Sequence, residues 1–243
     1  MDPINKHTVH RWIDGSRVET TEEVAEELAV ALIYNGISHA VMLATPHDLV
    51  DFAYGFSMSE NIVGTPDQIF AVNTVSDPRG IELHIDIAGA RFNELKKRRR
   101  NLAGRTGCGL CGAESLEAVM RPSQAVTARI PIDDKAIQRA RMNFTRAQPL
   151  QARTGAMHGA AWCDRAGEVE VIREDVGRHN ALDKLLGALA QSGFRPDEGF
   201  VFLSSRLSYE MVQKVAVFNI ATLAAVSAPT RLAIEVAEHS GIL

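Results

Sequence analysis

The chain has 243 residues, of which 46% are hydrophobic and 23% charged, with a formal net charge of −4. That is enough apolar material for one large domain or two small ones with a full core, and too little charge for a disordered chain. No apolar run reaches the ~18 residues of a membrane span, and an odd count of three cysteines argues against a secreted disulfide framework.

Met1 to Thr20 is polar and lacks the apolar stretch of a signal peptide, so the expectation is a cytoplasmic protein with no membrane contact. Two apolar runs, Glu27 to Tyr34 and Ile37 to Leu43, flank Asn35-Gly36, which predicts a β-hairpin. Thr45-Pro46 offers a helix cap and first position before a helix over Asp48 to Ser59, with Leu49, Phe52, Ala53 and Phe56 at helical spacing. Strands follow at Ile69 to Val75 and Ile81 to Ile87, joined through Asp77-Pro78-Arg79-Gly80.

A helix from about Arg91 is expected to end in the basic run Lys96-Lys97-Arg98-Arg99-Arg100, just before Arg105-Thr106-Gly107-Cys108-Gly109-Leu110-Cys111-Gly112. Glycines beside both thiols read as a loop rather than a helical redox turn, and nearby cations favour the nucleophilic thiolate. Cys108 or Cys111 could attack and carry sulfur as a persulfide, or bind metal. A structural zinc pair would need a second CxxC, which a symmetric dimer could supply. A structural disulfide is the weaker choice, because so short a loop constrains little of the unfolded chain. The basic run has no aromatic platform beside it and the chain is mildly acidic, so a nucleic-acid partner is not expected.

After Pro122 the rhythm changes, which places a domain division near residue 122. The second half reads as a strand near Gln124 to Ile130, a helix over Asp133 to Phe144, and strands at Ala156 to Cys163 and Glu168 to Arg173. Then come a helix over His179 to Gln191, a strand at Gly199 to Leu203, a helix over Tyr209 to Phe218, a strand at Ala221 to Val226 and a helix over Pro229 to His239. Such alternation implies an α/β layer domain on a largely parallel sheet. Cys163, beside Ala161 and Trp162, reads as a core residue. Two segments put polar residues where strand gives way to helix: Arg173 to Lys184, and Ser204-Ser205-Arg206-Leu207-Ser208-Tyr209-Glu210. Helix starts carrying arginines and hydroxyls suit phosphate, while plain capping by Asp175, Ser205 or Ser208 is the structural alternative.

Five motifs together carry a resemblance over nearly the whole chain. They are Tyr34-Asn35-Gly36-Ile37-Ser38-His39, Thr106 to Gly112, Thr154-Gly155-Ala156-Met157-His158, Glu174 to Lys184, and Ser204 to Lys214. The sequence resembles the FdhD/NarQ family of formate dehydrogenase accessory sulfurtransferases. The resemblance implies an α+β N-terminal domain, residues 1–122, ending in the CxxC loop, and a cytidine deaminase-like three-layer α/β domain, residues 123–243. It also implies that persulfide sulfur from a cysteine desulfurase is taken onto Cys108, with Cys111 as second thiol. The sulfur would pass to the molybdenum or tungsten bis-pterin guanine dinucleotide cofactor, held as substrate by a homodimer, before that cofactor enters formate dehydrogenase. Candidate cofactor-binding residues are His158, Arg178, His179, Ser204, Ser205 and Arg206, the last five from helix-terminus chemistry. No permanent cofactor and no metal ligand is assigned. The competing class is a non-catalytic molybdenum-cofactor chaperone with a docking or zinc-binding CxxC.

Deaminase chemistry needs an HxE start on one helix and a PCxxC start on the next. Here those turns read His179-Asn180-Ala181 and Ser204 to Ser208, so the glutamate and both cysteines are missing. Family members usually add a final strand after the last helix. This chain stops at Gly241-Ile242-Leu243, and the expectation is an incomplete cofactor pocket.

Overall fold

The computed structural model describes residues 1–103 and 125–243. Cys108, Cys111, the expected division near residue 122 and the first residue of the expected strand at 124 lie outside the described residues.

The chain opens with a feature the sequence reading treated only as polar: an antiparallel ribbon of β1 (Ile4–Ile13) and β2 (Ser16–Ala25), in register from Ile4 opposite Ala25 to Ile13 opposite Ser16. Its turn is Asp14-Gly15, both at positive φ (49° and 79°), a dipeptide that favours tight hairpins. The ribbon meets the body at its base, where Ile4 clusters with Leu150 and Met157 and Arg153 pairs with Glu23.

The expected Asn35-Gly36 hairpin forms between β3 (Leu28–Tyr34) and β4 (Ile37–Ala44), with φ of 45° and 80° at the turn. With β5 (Ile69–Asp77) and β6 (Gly80–Ile87) these strands make a sheet in the order β4-β3-β6-β5, in which β3 runs parallel to β6. Its inner face, Val30, Leu32, Tyr34, Ile81, Leu83, Ile85 and Ile87, packs on Phe52, Ala53 and Phe56 of helix α1 (Leu49–Ser59). Thr45-Pro46 does not start α1 as expected. The cap position is Asp48, in left-handed geometry and without a side-chain cap bond, while Thr45 is fully buried and bonded elsewhere. Helix α2 (Gly89–Ala103) does not end in the basic run but continues through it.

The expected strand over 124–130 is a correction of a different kind. Val126, Ala128 and Ile130 are buried in alternation, yet among the described residues they join no sheet. Val126 N–H donates to the Ser240 carbonyl, and the N–H groups of Thr127 and Ala128 both donate to the Asn219 side chain. Alternation reports which side chains face a core, not what the backbone bonds to.

Helix α3 (Asp134–Arg146), capped by Asp133, leads to the short helix α4 (Pro149–Thr154), which the sequence reading missed. Then follow β7 (His158–Asp164), β8 (Val169–Asp175), α5 (Arg178–Ser192), β9 (Gly199–Leu203), α6 (Tyr209–Val217), β10 (Leu223–Ala225) and α7 (Arg231–Ser240). The strands form one sheet in the order β10-β9-β7-β8. It is mixed rather than largely parallel: β7 is antiparallel to both β8 and β9, and only β9 and β10 run together. The reason is local: β7 and β8 are a hairpin, and the crossovers β8-α5-β9 and β9-α6-β10 leave β7 running antiparallel between β8 and β9. Helices cover both faces. Ala160, Trp162, Val201 and Leu203 meet α5 and α6, and Ala161, Cys163, Phe200 and Phe202 meet Ala140 and Phe144 of α3. This is the expected three-layer arrangement. Beside β10, Leu243 N–H donates to the Ala221 carbonyl and its own carbonyl accepts from Leu223 N–H.

The two sheets are joined through helices. At the crossing of α1 and α5, a Cβ on Gly55 would lie 1.7 Å from the Asp183 carbonyl oxygen, and one on Gly187 would lie 1.9 Å from that of Asp51. Only glycine at both positions allows this approach. Among the described residues no helix is long and apolar enough to cross a membrane.

Candidate functional site

The turn from β8 into α5 and the loop from β9 into α6 meet at one end of the second sheet, as open α/β sheets place their ligand crevices. One set of contacts ties the loop to β7, and another joins the two helix starts. Ser204 Oγ accepts from Gly159 N–H at 2.9 Å while Ser204 N–H donates to the Gly159 carbonyl at 3.1 Å, which ties the β9–α6 loop to the start of β7 beside His158. His179 Nε2 lies 2.8 Å from Glu210 Oε2, which bridges the first turns of α5 and α6. The hydrogen bond from His179 holds the Glu210 carboxyl below the usual glutamate range, against the opposing effect of burial.

Four of the residues expected from sequence therefore gather here: His158, Arg178, His179 and Ser204. Burial, and then the charges of Arg178 and His179, push the His158 pKa down, with Asp175 pulling the other way. Ser205 is buried and its hydroxyl is turned onto the Arg206 carbonyl, while Arg206 is exposed. Cys108 and Cys111 lie outside the described residues.

Among the described residues neither helix start is capped by a side chain, so the capping alternative does not describe this site. The cap position of α5 is Gly177, and Arg178 just after it has its Nε buried with no hydrogen-bond partner among the described residues. An orphaned guanidinium N–H beside two imidazoles and uncapped first-turn amides fits an anion, which would supply the missing acceptor.

Beneath this surface lie two buried ionic networks that the sequence reading did not assign. Asp175 is fully buried and pairs with the equally buried Lys184 at 2.6 Å. Lys214 Nζ reaches both oxygens of Asp183 (3.0 and 3.1 Å), Ser59 Oγ at 2.9 Å and Glu60 Oε1 at 2.8 Å. Burial works against the charge on Lys214, but Asp183 and Glu60 outweigh it and hold its pKa above the ordinary lysine value. A signal was present: Lys184 sits among Leu182, Leu185 and Leu186, and Lys214 among Met211, Val212 and Val215. A lysine inside an apolar helical stripe must find a buried partner. Cys163 is buried as expected, and burial pushes its thiol up to about 12.

A model described as the FdhD/NarQ family matches residues 25–243. The sulfur carrier protein FdhD of Cupriavidus necator is 53% identical over 234 residues, covering 96% of this chain and 81% of that protein. The protein of the same name from Variovorax paradoxus is 51% identical over 219 residues, covering 90% and 79%. Among solved structures, a putative formate dehydrogenase accessory protein from Desulfotalea psychrophila shares the fold with a TM-score of 0.77 at 22% identity, covering 99% of this chain and 91% of that one. The chain belongs to the FdhD/NarQ family.

Proposed function

We propose that this protein is a sulfur carrier: it accepts persulfide sulfur from a cysteine desulfurase on Cys108 and delivers it to a molybdenum or tungsten bis-pterin guanine dinucleotide cofactor destined for formate dehydrogenase. The observation that carries the reading is the 53% identity to a protein named as a sulfur carrier, across a family match that spans both Cys108 and Cys111. In the loading step the Cys108 thiolate attacks the outer sulfur of the desulfurase persulfide. A new sulfur–sulfur bond forms on Cys108, the old one breaks, and the desulfurase leaves as its thiolate. In the release step the Cys111 thiolate attacks the inner sulfur of the Cys108 persulfide, which forms a disulfide and frees one hydrosulfide ion.

The anionic cofactor is the substrate in this scheme, and the uncapped start of α5 supports its place. Arg178 supplies the buried unpartnered donor, with His158 and His179 beside it. A homodimer would present two thiol pairs to one cofactor.

Intact mass after incubation with a cysteine desulfurase and cysteine tests the loading step. The expected result is a reducible gain of about 32 Da, one sulfur atom, on the wild type and none on Cys108→Ser. No gain on any version would favour the non-catalytic cofactor chaperone.

A further inference from the structure

The turn between β8 and α5 is held from beneath by one carboxylate with four donors. Asp175 Oδ1 accepts from Gly177 N–H at 2.7 Å and from Asn180 Nδ2 at 3.0 Å, both from the turn and the first turn of α5. Its Oδ2 accepts from Lys184 Nζ at 2.6 Å and from Thr45 N–H at 3.0 Å, both from the surrounding scaffold. Lys184 Nζ also donates to the Thr45 carbonyl at 2.9 Å, Val176 N–H to the Thr45 hydroxyl at 3.2 Å, and Asn180 Nδ2 to the Leu43 carbonyl at 2.8 Å. The amides of Val176 and Gly177 are thus taken up, and the next residue along is Arg178.

Stability alone does not account for this pair. Asp175 and Lys184 are both fully buried, and a buried ion pair commonly returns less than apolar side chains of the same volume would. What two apolar side chains could not do is bond the Gly177 amide and the Asn180 side chain. The fit around that amide is tight, since a Cβ at Gly177 would lie 2.8 Å from Asn180 Nδ2.

We propose that Asp175 and Lys184 are positioning residues for the anion: they fix the Val176-Gly177 turn from beneath, so that Arg178, the next residue along, is presented to the ligand in one arrangement. Thr45, from the first half of the chain, anchors the same turn. The inference rests on the reading of Arg178 as an anion ligand, and its test separates the two.

The test is guanosine diphosphate affinity by calorimetry, measured for the wild type, Arg178→Gln, the paired variant Asp175→Asn with Lys184→Met, and all three changes together. Removing both charges at similar volume avoids a lone buried ion, and thermal melting confirms that each protein is folded. The paired variant is expected to bind at least tenfold more weakly in the wild-type background and within twofold of its parent in the Arg178→Gln background, because its effect passes through Arg178. A merely structural pair would change affinity by the same factor in both backgrounds, or in neither, and either result overturns the inference. Arg178→Gln binding as well as wild type would overturn the reading of Arg178 itself, and the inference with it. Should the paired variant fail to fold, Thr45→Val, which removes the hydroxyl that accepts from Val176 N–H and donates to Met157 Sδ but keeps both main-chain bonds of Thr45, is expected to weaken binding about threefold, again only where Arg178 is present. Equal or absent weakening in the two backgrounds would count against the proposal.

Discussion

Lys214 shows what a single buried charge does here. Its ammonium is shared by Asp183, Glu60 and Ser59, on two helices from different halves of the chain. Lys214→Met would leave Asp183, which is almost fully buried, as an unpaired ion, and the expected loss is about 3–5 kcal/mol in chemical denaturation. Replacing Asp183 by leucine in the same protein should recover most of it. His158 gives a pH dependence with a definite sign. Its pKa in the folded protein lies below the ~6.5 of an unfolded histidine, so its contribution to stability is complete above that value. It is lost as pH falls through 6.5 toward the folded pKa, because the unfolded chain takes up the proton first. Between pH 7.5 and 5.5, the wild type should therefore lose more stability than His158→Gln in parallel denaturation curves. Of the candidate site, Arg178, His179 and Ser204 were legible because helix starts after strands are ready-made anion sites. Asp175 and Glu210 were not assigned, because what they do depends on which distant backbone or imidazole faces them, and one strand's sequence does not encode that.

At the scale of elements, the crossing of α1 and α5 depends on two glycines set backbone to backbone. Gly55→Ala places its methyl 1.7 Å from a carbonyl oxygen that belongs to main chain and cannot turn away. The helices must separate, and the expected cost is about 3 kcal/mol. Gly89→Ala is the matched control, since nothing lies within 4 Å of its Cβ position, and it should stay within about 0.5 kcal/mol of wild type. Most element positions were legible where local chemistry decides them. The hairpin at Asn35-Gly36, the strand at Gly199 to Leu203 and the start of α6 at Tyr209 all fall where read. The ribbon at residues 4–25 was missed because its strands carry charged and polar residues on both faces, which hides the period of two, although Asp14-Gly15 marked its turn. The failed strand at 124–130 and the failed cap at Thr45 share a cause. In each, a tertiary partner took a group that local rules assign elsewhere: Asn219 takes the Thr127 and Ala128 N–H groups, and Val176 N–H takes the Thr45 hydroxyl.

At the scale of the molecule, the two sheets are bound into one body by charges as well as by glycines, with Thr45, Ser59 and Glu60 from the first half bonded into networks whose other members come from the second. A division near residue 122 is proposed on sequence rhythm alone. It would leave these hydrogen bonds and ion pairs running between the two halves, so the base of the β8–α5 turn draws on both. The family was legible because five motifs in fixed order are far more specific than any one of them. The contact beneath the β8–α5 turn was not, because Thr45 and Asp175 are 130 residues apart in sequence. The proposed function needs both a thiol that carries sulfur and a site that holds the acceptor. Its most direct test loads the protein with radiolabelled sulfur from a cysteine desulfurase and then chases the label onto purified bis-pterin guanine dinucleotide cofactor. The expected result is that wild type and Arg178→Gln load equally, that label leaves the wild type for the cofactor, and that it stays on Arg178→Gln. Label that never leaves the wild type, or that leaves both proteins at the same rate, would contradict the account.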